Sequence, residues 1–274
     1  MNDSPTATAS SPLVIGATGG SGTRVVARIA RRAGYDLGSH LNDAEDALEF
    51  AAFHNRWINR VIAADERPFS ARETEQMIAD VRGALGRHLP RHGDMGQLWG
   101  WKAPRSIYFL PLFQRLFPDL KFIHVLRDGR DMAFSKNQNQ LRQHGRAILT
   151  LRERCFLPAP VRSILLWDRV NRRAASLGEA QLGDNYLAVR FEDLCLAPAE
   201  TVERILCFLG SRVDAQEVAR AEISPPATLF RWKTHPETIT RKLTTAAAAS
   251  LRKFGYFDEA TPRFGIVRSS IVHR

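Results

Sequence analysis

Cysteine is scarce in this chain: Cys155, Cys195 and Cys207 are its only three, and they stand far apart. They form no CxxC pair and no zinc spacing, so neither a disulfide scaffold nor a zinc module is indicated, and reduced thiols in a cytosol are expected. Lysine is scarce too, at six residues. No run approaches the roughly 18 consecutive apolar residues that suggest a membrane span. Met1 to Ser11 is small and polar with no apolar stretch, so a secretory leader is not expected. No block of five or more like charges occurs, and no zinc-finger, RRM or basic-zipper pattern supports nucleic-acid binding.

The chain does have 274 residues, 44% hydrophobic and 25% charged, which is the profile of a globular protein large enough to bury a core without staples. Its net charge is +10, carried mostly by arginine. The arginine fork suits phosphate and sulfate groups. The same excess also fits a solvated basic surface.

Residues 1–11 read as a flexible tail and 12–274 as one α/β domain. Pro12 to Ala17 is a short apolar run that reads as a buried strand. A glycine-rich loop follows, and Arg24 to Arg32 then shows helical spacing that stops at Gly34. Further helices are predicted over Asn42 to about Ala64, over 70–89, over Ser106 to Leu116, from Asp131 to Ser135, over 161–176, over Ala199 to Leu209 and around 245–254. Trp99 to Lys102, Lys121 to Leu126 (KFIHVL) and Tyr186 to Arg190 read as strands. Residues 136–160 read as the least regular part. Strands alternating with helices predict a mostly parallel sheet covered on both faces.

Three segments carry chemistry. The first is the loop Gly16-Ala17-Thr18-Gly19-Gly20-Ser21-Gly22-Thr23-Arg24. A glycine-rich turn entering a helix lets the backbone approach an anion and offers it free N–H groups, with Ser21 and Thr23 adding hydroxyls. It lacks the lysine of a Walker loop, and Val25 stands where GxGxxG needs its third glycine. The second is Lys121 to Asp131 with Ser135. Arg127 is placed at the carboxyl end of a strand, where open α/β sheets bind ligands; Ser135, eight residues on, returns to that edge. A structural pair of Arg127 with Asp131 or Asp128 is the competing reading. The third is Trp99-Gly100-Trp101-Lys102-Ala103-Pro104-Arg105, in which proline holds Lys102 just after a strand.

In order and spacing these segments resemble the sulfotransferases that use 3′-phosphoadenosine-5′-phosphosulfate (PAPS), and Tyr186 to Pro198 is similar to that family's fourth strand and turn. The resemblance spans residues 12 to about 210 and implies a P-loop-like sulfotransferase fold. It implies that Gly19, Gly20, Ser21, Gly22, Thr23 and Arg24 hold the 5′-phosphosulfate, that Arg127 and Ser135 hold the 3′-phosphate, and that Lys102 contacts the sulfuryl group. Arg231, Trp232 and Lys233 resemble the loop that closes over the nucleotide, within 225–245. One departure is plain: Gly20 stands where the family's loop has a basic residue, and Arg24 stands where it has a hydroxyl. The cation facing the leaving phosphate then comes from Arg24, Lys102 or elsewhere.

The implied reaction moves a sulfuryl group from PAPS to a hydroxyl or amine of a small-molecule or carbohydrate acceptor, leaves adenosine 3′,5′-bisphosphate (PAP), and needs no metal. A general base is expected among Asp43, Glu45, Asp46 and Glu49, with Asp46 favoured and His54 and His40 as alternatives. His124 is expected to be buried. Trp232 stacks on adenine or is ordinary core, and 136–160 reads as an acceptor lid. No nucleic-acid or membrane partner is expected, and a bacterial cytoplasmic location is. The competing readings are an atypical P-loop nucleotide kinase and a non-catalytic anion or nucleic-acid binder.

Overall fold

In the computed structural model, residues 11–88 and 97–257 are described. Most of the tail 1–11, Pro90 and the end of the 12–274 domain therefore lie outside the described residues. Among the described residues four strands form one parallel sheet: β1 (Leu13–Ala17), β2 (Gly100–Lys102), β3 (Lys121–Leu126) and β4 (Tyr186–Arg190), in the order β2-β1-β3-β4. Leu13 aligns with Gly100 and with Lys121, and Phe122 with Tyr186. Gly100 is dictated by this pairing, since a Cβ there would stand 2.0 Å from the Leu13 carbonyl oxygen.

Side chains alternate across the sheet, as strand geometry requires. Val14, Trp101 and Phe122 enter one core and Leu13, Ile15, Ile123 and Val189 the other. Both faces are covered, which explains why β1 is apolar throughout and β3 is apolar apart from Lys121 at its start and the buried His124. The second core takes helices α1 (Thr23–Arg32), α10 (Pro198–Leu209) and α11 (Ala215–Glu222). The first takes α2 (Ala51–Ile62), α3 (Ala71–His88), α4 (Leu110–Leu116) and part of the long α8 (Ala159–Gln181). Helices α5 (Gly129–Ala133), α6 (Asn139–Ile148), α7 (Leu151–Phe156), α9 (Phe191–Leu196), α12 (Glu237–Ala246) and α13 (Ala248–Lys253) complete the chain. Among the described residues no helix is long and apolar enough to cross a membrane.

Two expectations are corrected. Residues 42–50 are not helical but form a turn and a short 3₁₀ segment, so the helix expected from Asn42 begins at Ala51. The Asn42 side chain accepts hydrogen bonds from the Ala44 and Asp46 N–H groups at 2.9 Å, and Glu45 has a positive φ of 63°. Such an asparagine turn competes with helix formation. Residues 136–160 are not irregular but carry α6 and α7. The most buried positions of α6 are Gln140, His144 and Gly145, with Leu141 and Ile148 only partly buried against the core, so the apolar signal there is weak. The helix expected around 245–254 is present as α13, and a further helix, α12, precedes it and ends at Ala246.

Candidate active site

All four strands are parallel, so their carboxyl ends share one edge. Along it the sheet order sets out Lys102 at the end of β2, the glycine loop after β1, Arg127 after β3 and Phe191 after β4. A cleft of about 580 Å³ runs along this edge, a size suited to a small ligand. The Gly19–Arg24 loop, Asp46, His54, Lys102, Arg105 and Arg127 all line it. The loop and the Arg127 guanidinium, far apart in sequence, therefore face a common space.

The loop is shaped to present its backbone. Gly20 and Gly22 have φ of +87° and +85°, a region in which L side chains are strained. A Cβ on Gly22 would also lie 2.2 Å from the Phe191 ring. Among the described residues no hydrogen bond engages the backbone N–H groups of Gly20 to Arg24, and the first turn of α1 holds no acidic residue. Those free donors and the helix dipole attract an anion. The Ser21 hydroxyl is turned inward and donates to the Thr18 carbonyl at 2.7 Å, so it braces the loop rather than facing the cleft as a donor. Thr23 is buried and Arg24 exposed. The Ser135 Oγ lies 3.8 Å from where a Gly20 Cβ would stand, which puts it beside the loop, and it accepts the Asn137 N–H at 3.1 Å.

Arg127 is 5% exposed. Its Nη2 donates to Asp131 Oδ2 at 3.1 Å and to the Thr228 carbonyl at 2.6 Å, and its guanidinium lies 5.1 Å from the centre of the Phe191 ring. The pairing with Asp131 foreseen in the sequence is present. Asp128 instead takes Arg130, at 2.7 Å. The pairing leaves Arg127 Nε buried with no partner, a donor whose burial carries a cost unless a ligand meets it. Asp131 also accepts the backbone N–H groups of Phe230 at 2.9 Å and Trp232 at 3.0 Å, which ties the turn of residues 228–232 onto α5. Phe230 adopts a positive φ of 58° to make that turn. Burial and then the charge of Arg127 push the Arg231 guanidinium below its usual value, so two cations lie side by side. Trp232 lies under the Arg130 guanidinium, 3.8 Å from its ring centre, and its Nε1 is buried without a partner. The Lys233 ammonium sits 5.0 Å from the Phe230 ring centre.

At the other end of the edge, Lys102 Nζ donates to the Ala44 carbonyl at 2.5 Å and pairs with Asp46. Burial pushes the Lys102 ammonium below its usual value, and Asp46 counters that shift. Of the acidic candidates for a base, only Asp46 lines the cleft. Glu45 is held by Arg28 and Arg31 at 2.9 and 2.6 Å, and Glu49 lies 3.4 Å from both His40 and His88. Asp43 is exposed. His54 does reach the cleft. It is 1% exposed with Nε2 unpartnered, and burial, aided by Arg105 and His144, drives its imidazole well below the ordinary value, so it is neutral. His124 is buried as expected, between Tyr186 and Asn171. Arg105 is a cleft residue that the sequence did not single out; its one distinguishing sign is its place three residues after Lys102. From the segment expected to be a lid, α6 delivers Asn139, Gln140 and Gln143 to the cleft.

A profile described as the Sulfotransferase family matches residues 16–215. Among solved structures, the sulfotransferase domain from the Synechococcus PCC 7002 olefin synthase aligns with a TM-score of 0.54 at 17% identity, covering 94% of this chain and 98% of that one. Sulfotransferase STF9 from Mycobacterium avium aligns with a TM-score of 0.54 at 13% identity, covering 90% of this chain and 78% of that one. These likenesses concern the fold. No curated protein matches the sequence.

Proposed function

The chain belongs to the sulfotransferase family, and from that premise we propose that it transfers the sulfuryl group of PAPS to a hydroxyl or amine of a small-molecule or carbohydrate acceptor. The observation that carries this reading is the pairing of two anion-seeking groups in one cleft: the free N–H groups of Gly20 to Arg24 and the unpartnered Nε of buried Arg127. A nucleotide phosphorylated at both its 3′ and 5′ positions satisfies both.

When bound, the donor supplies a sulfuryl group on its 5′-phosphate, and PAP is the leaving group. Catalysis of such a transfer is mostly positioning and charge stabilisation. In this reading the loop N–H groups and the positive end of α1 bind the 5′-phosphate. Arg24, in place of the missing basic residue at Gly20, faces the charge that builds on it. Arg127 binds the 3′-phosphate through Nε, with Ser135 and Arg231 beside it, while Asp131 fixes both the guanidinium and the 228–232 turn that closes over the nucleotide. Lys102 neutralises charge on the sulfuryl oxygens; its burial makes that contact strong because little water competes. Asp46 takes the acceptor proton. Its carboxylate is 28% exposed while its lysine partner is 2% exposed, so it opens toward the space where an acceptor sits.

Isothermal titration of the full chain with PAP tests the donor assignment. Binding in the micromolar range, near −8 kcal/mol, is expected. No heat at about 100 μM PAP, a hundred times that level, overturns it.

A further inference from the structure

Resting on that reading, we infer that Arg105 is an acceptor-binding residue and that the acceptor carries an oxyanion, a carboxylate, phosphate or sulfate, close to the atom that is sulfated.

Position comes first. The sheet order places Arg127 at the β3 end of the cleft, the phosphate loop in the middle and Lys102 at the β2 end. Arg105 stands three residues past Lys102 and lines the same cleft, where it feels Asp46, the partner of Lys102, and neighbours His54, and its Nη1 reaches Asn55 of α2. A donor laid from Arg127 to the loop presents its sulfur toward Lys102. What lies past Lys102 meets the acceptor.

Charge comes second. Among the described residues Asn55 is the hydrogen-bond partner of Arg105, and it is neutral. Asp46 acts on Arg105 through its field, but its carboxylate is taken by Lys102. Burial pushes the guanidinium below its usual value, so this is a partly desolvated cation without an acid of its own. A guanidinium has five N–H donors in a planar fork, and this one has most of them unspent. The donor's own charges are already met by the loop, Arg24, Arg127 and Lys102.

The surroundings come third. His54 beside Arg105 is neutral and its Nε2 has no partner. Asn139 and Gln143 of α6 add amides to the same cleft. Neutral hydrogen-bonding groups around one unneutralised guanidinium make a site for a polar acceptor bearing negative charge.

The test uses the full chain saturated with PAP and two probes of equal shape, benzoate and benzamide, followed through arginine side-chain ¹⁵N resonances. Benzoate is expected to shift the Arg105 signal and to bind at least about tenfold tighter than benzamide, the size of a charge-assisted contact. R105Q is expected to abolish the difference while leaving PAP affinity within about twofold, which also reports that the variant is folded; R105K is expected to keep part of it. Acetate, inorganic phosphate and inorganic sulfate then rank the oxyanions. Equal or absent responses to benzoate and benzamide overturn the proposal. So does a roughly tenfold loss of PAP affinity in R105Q, because Arg105 would then belong to the donor. Failure of the wild-type chain to bind PAP instead strikes the donor reading, and the benzoate titration is read without it.

Discussion

Lys102 and Asp46, 56 residues apart in sequence, form an ion pair with one end sealed and the other open. The lysine is desolvated and the carboxylate faces the cleft, so each can act on a different reactant while holding the other in place. Replacing Lys102 by methionine keeps the buried stem and removes the charge. Turnover is expected to fall by about 100-fold, in the range seen for removing one stabilising donor, with PAP affinity changed little. Asp46→Asn removes the carboxylate that holds the lysine value up against burial. The Lys102 value then falls further, so the basic limb of the kcat profile moves to lower pH along with the loss in rate. A pH–rate series on both variants checks this, and an unmoved basic limb in Asp46→Asn contradicts the coupling.

The glycine loop depends on contact with Phe191, the residue that follows β4. Gly22→Ala must both adopt a φ near +85° and displace the Phe191 ring, whose nearest carbon would lie 2.2 Å away. Overpacking of this kind costs about 1–3 kcal/mol, and PAP binding is expected to be lost with it. Adding Phe191→Ala relieves the clash but not the backbone strain, so the double variant is expected to recover stability only in part. Thermal melts and PAP titrations of the two single variants and the double variant measure that coupling.

How far the sequence reached depended on where each residue finds its partners. β1 and β3 were legible because strands covered on both faces are mostly apolar, β4 because Tyr186 to Val189 is a short apolar run, and the loop because glycine betrays a positive φ. Residues 42–47 were not. Their periodicity suits a helix, but the chain there turns on the Asn42 side chain and offers Ala44 and Asp46 to Lys102. The decisive partner is 56 residues away, beyond the reach of local pattern. Likewise α6 weakens its apolar signal by burying Gln140 and His144 most deeply while Leu141 and Ile148 are only partly buried. Lys102 stood out because lysine is rare here; Arg105 did not, because arginine is abundant.

Asp131 links Arg127, in the proposed nucleotide site, to the turn of residues 228–232. It is fully buried and accepts Arg127 Nη2 and the N–H groups of Phe230 and Trp232. Asp131→Asn keeps the shape but removes the charge that orients Arg127. It is expected to weaken PAP binding by about 10-fold or more, the value of a hydrogen bond to a charged group. It should also make the 228–232 backbone amides exchange faster. Arg127→Ala should weaken PAP binding more, and Ser135→Ala less, because Arg127 brings a full charge and Ser135 one hydroxyl. Hydrogen exchange with PAP titration distinguishes a loosened turn from a lost contact: unchanged exchange at 228–232 in Asp131→Asn would separate the turn from this carboxylate.

His124 gives the fold a pH dependence that can be isolated. Burial pushes its imidazole down to about 4, and it sits between the Tyr186 hydroxyl at 2.6 Å and Asn171 Oδ1 at 2.8 Å. In the unfolded chain it titrates near 6.5. Between those values the unfolded state binds the proton and the folded state does not, so stability present above pH 6.5 is lost as pH falls toward 4. The slope from this group is at most about 1.4 kcal/mol per pH unit. Buried Asp128 and Glu192 are pushed up by burial and bias stability the other way, so the total slope alone does not report on His124. His124→Asn can keep a hydrogen bond to Tyr186 without the titration. Urea denaturation of the two proteins between pH 6.5 and 4.5 is expected to show a shallower fall in the variant, by up to that slope. Parallel curves would mean that the imidazole is already protonated in the folded chain, and that Asn171 Oδ1 is receiving a proton from a cation rather than from a neutral ring.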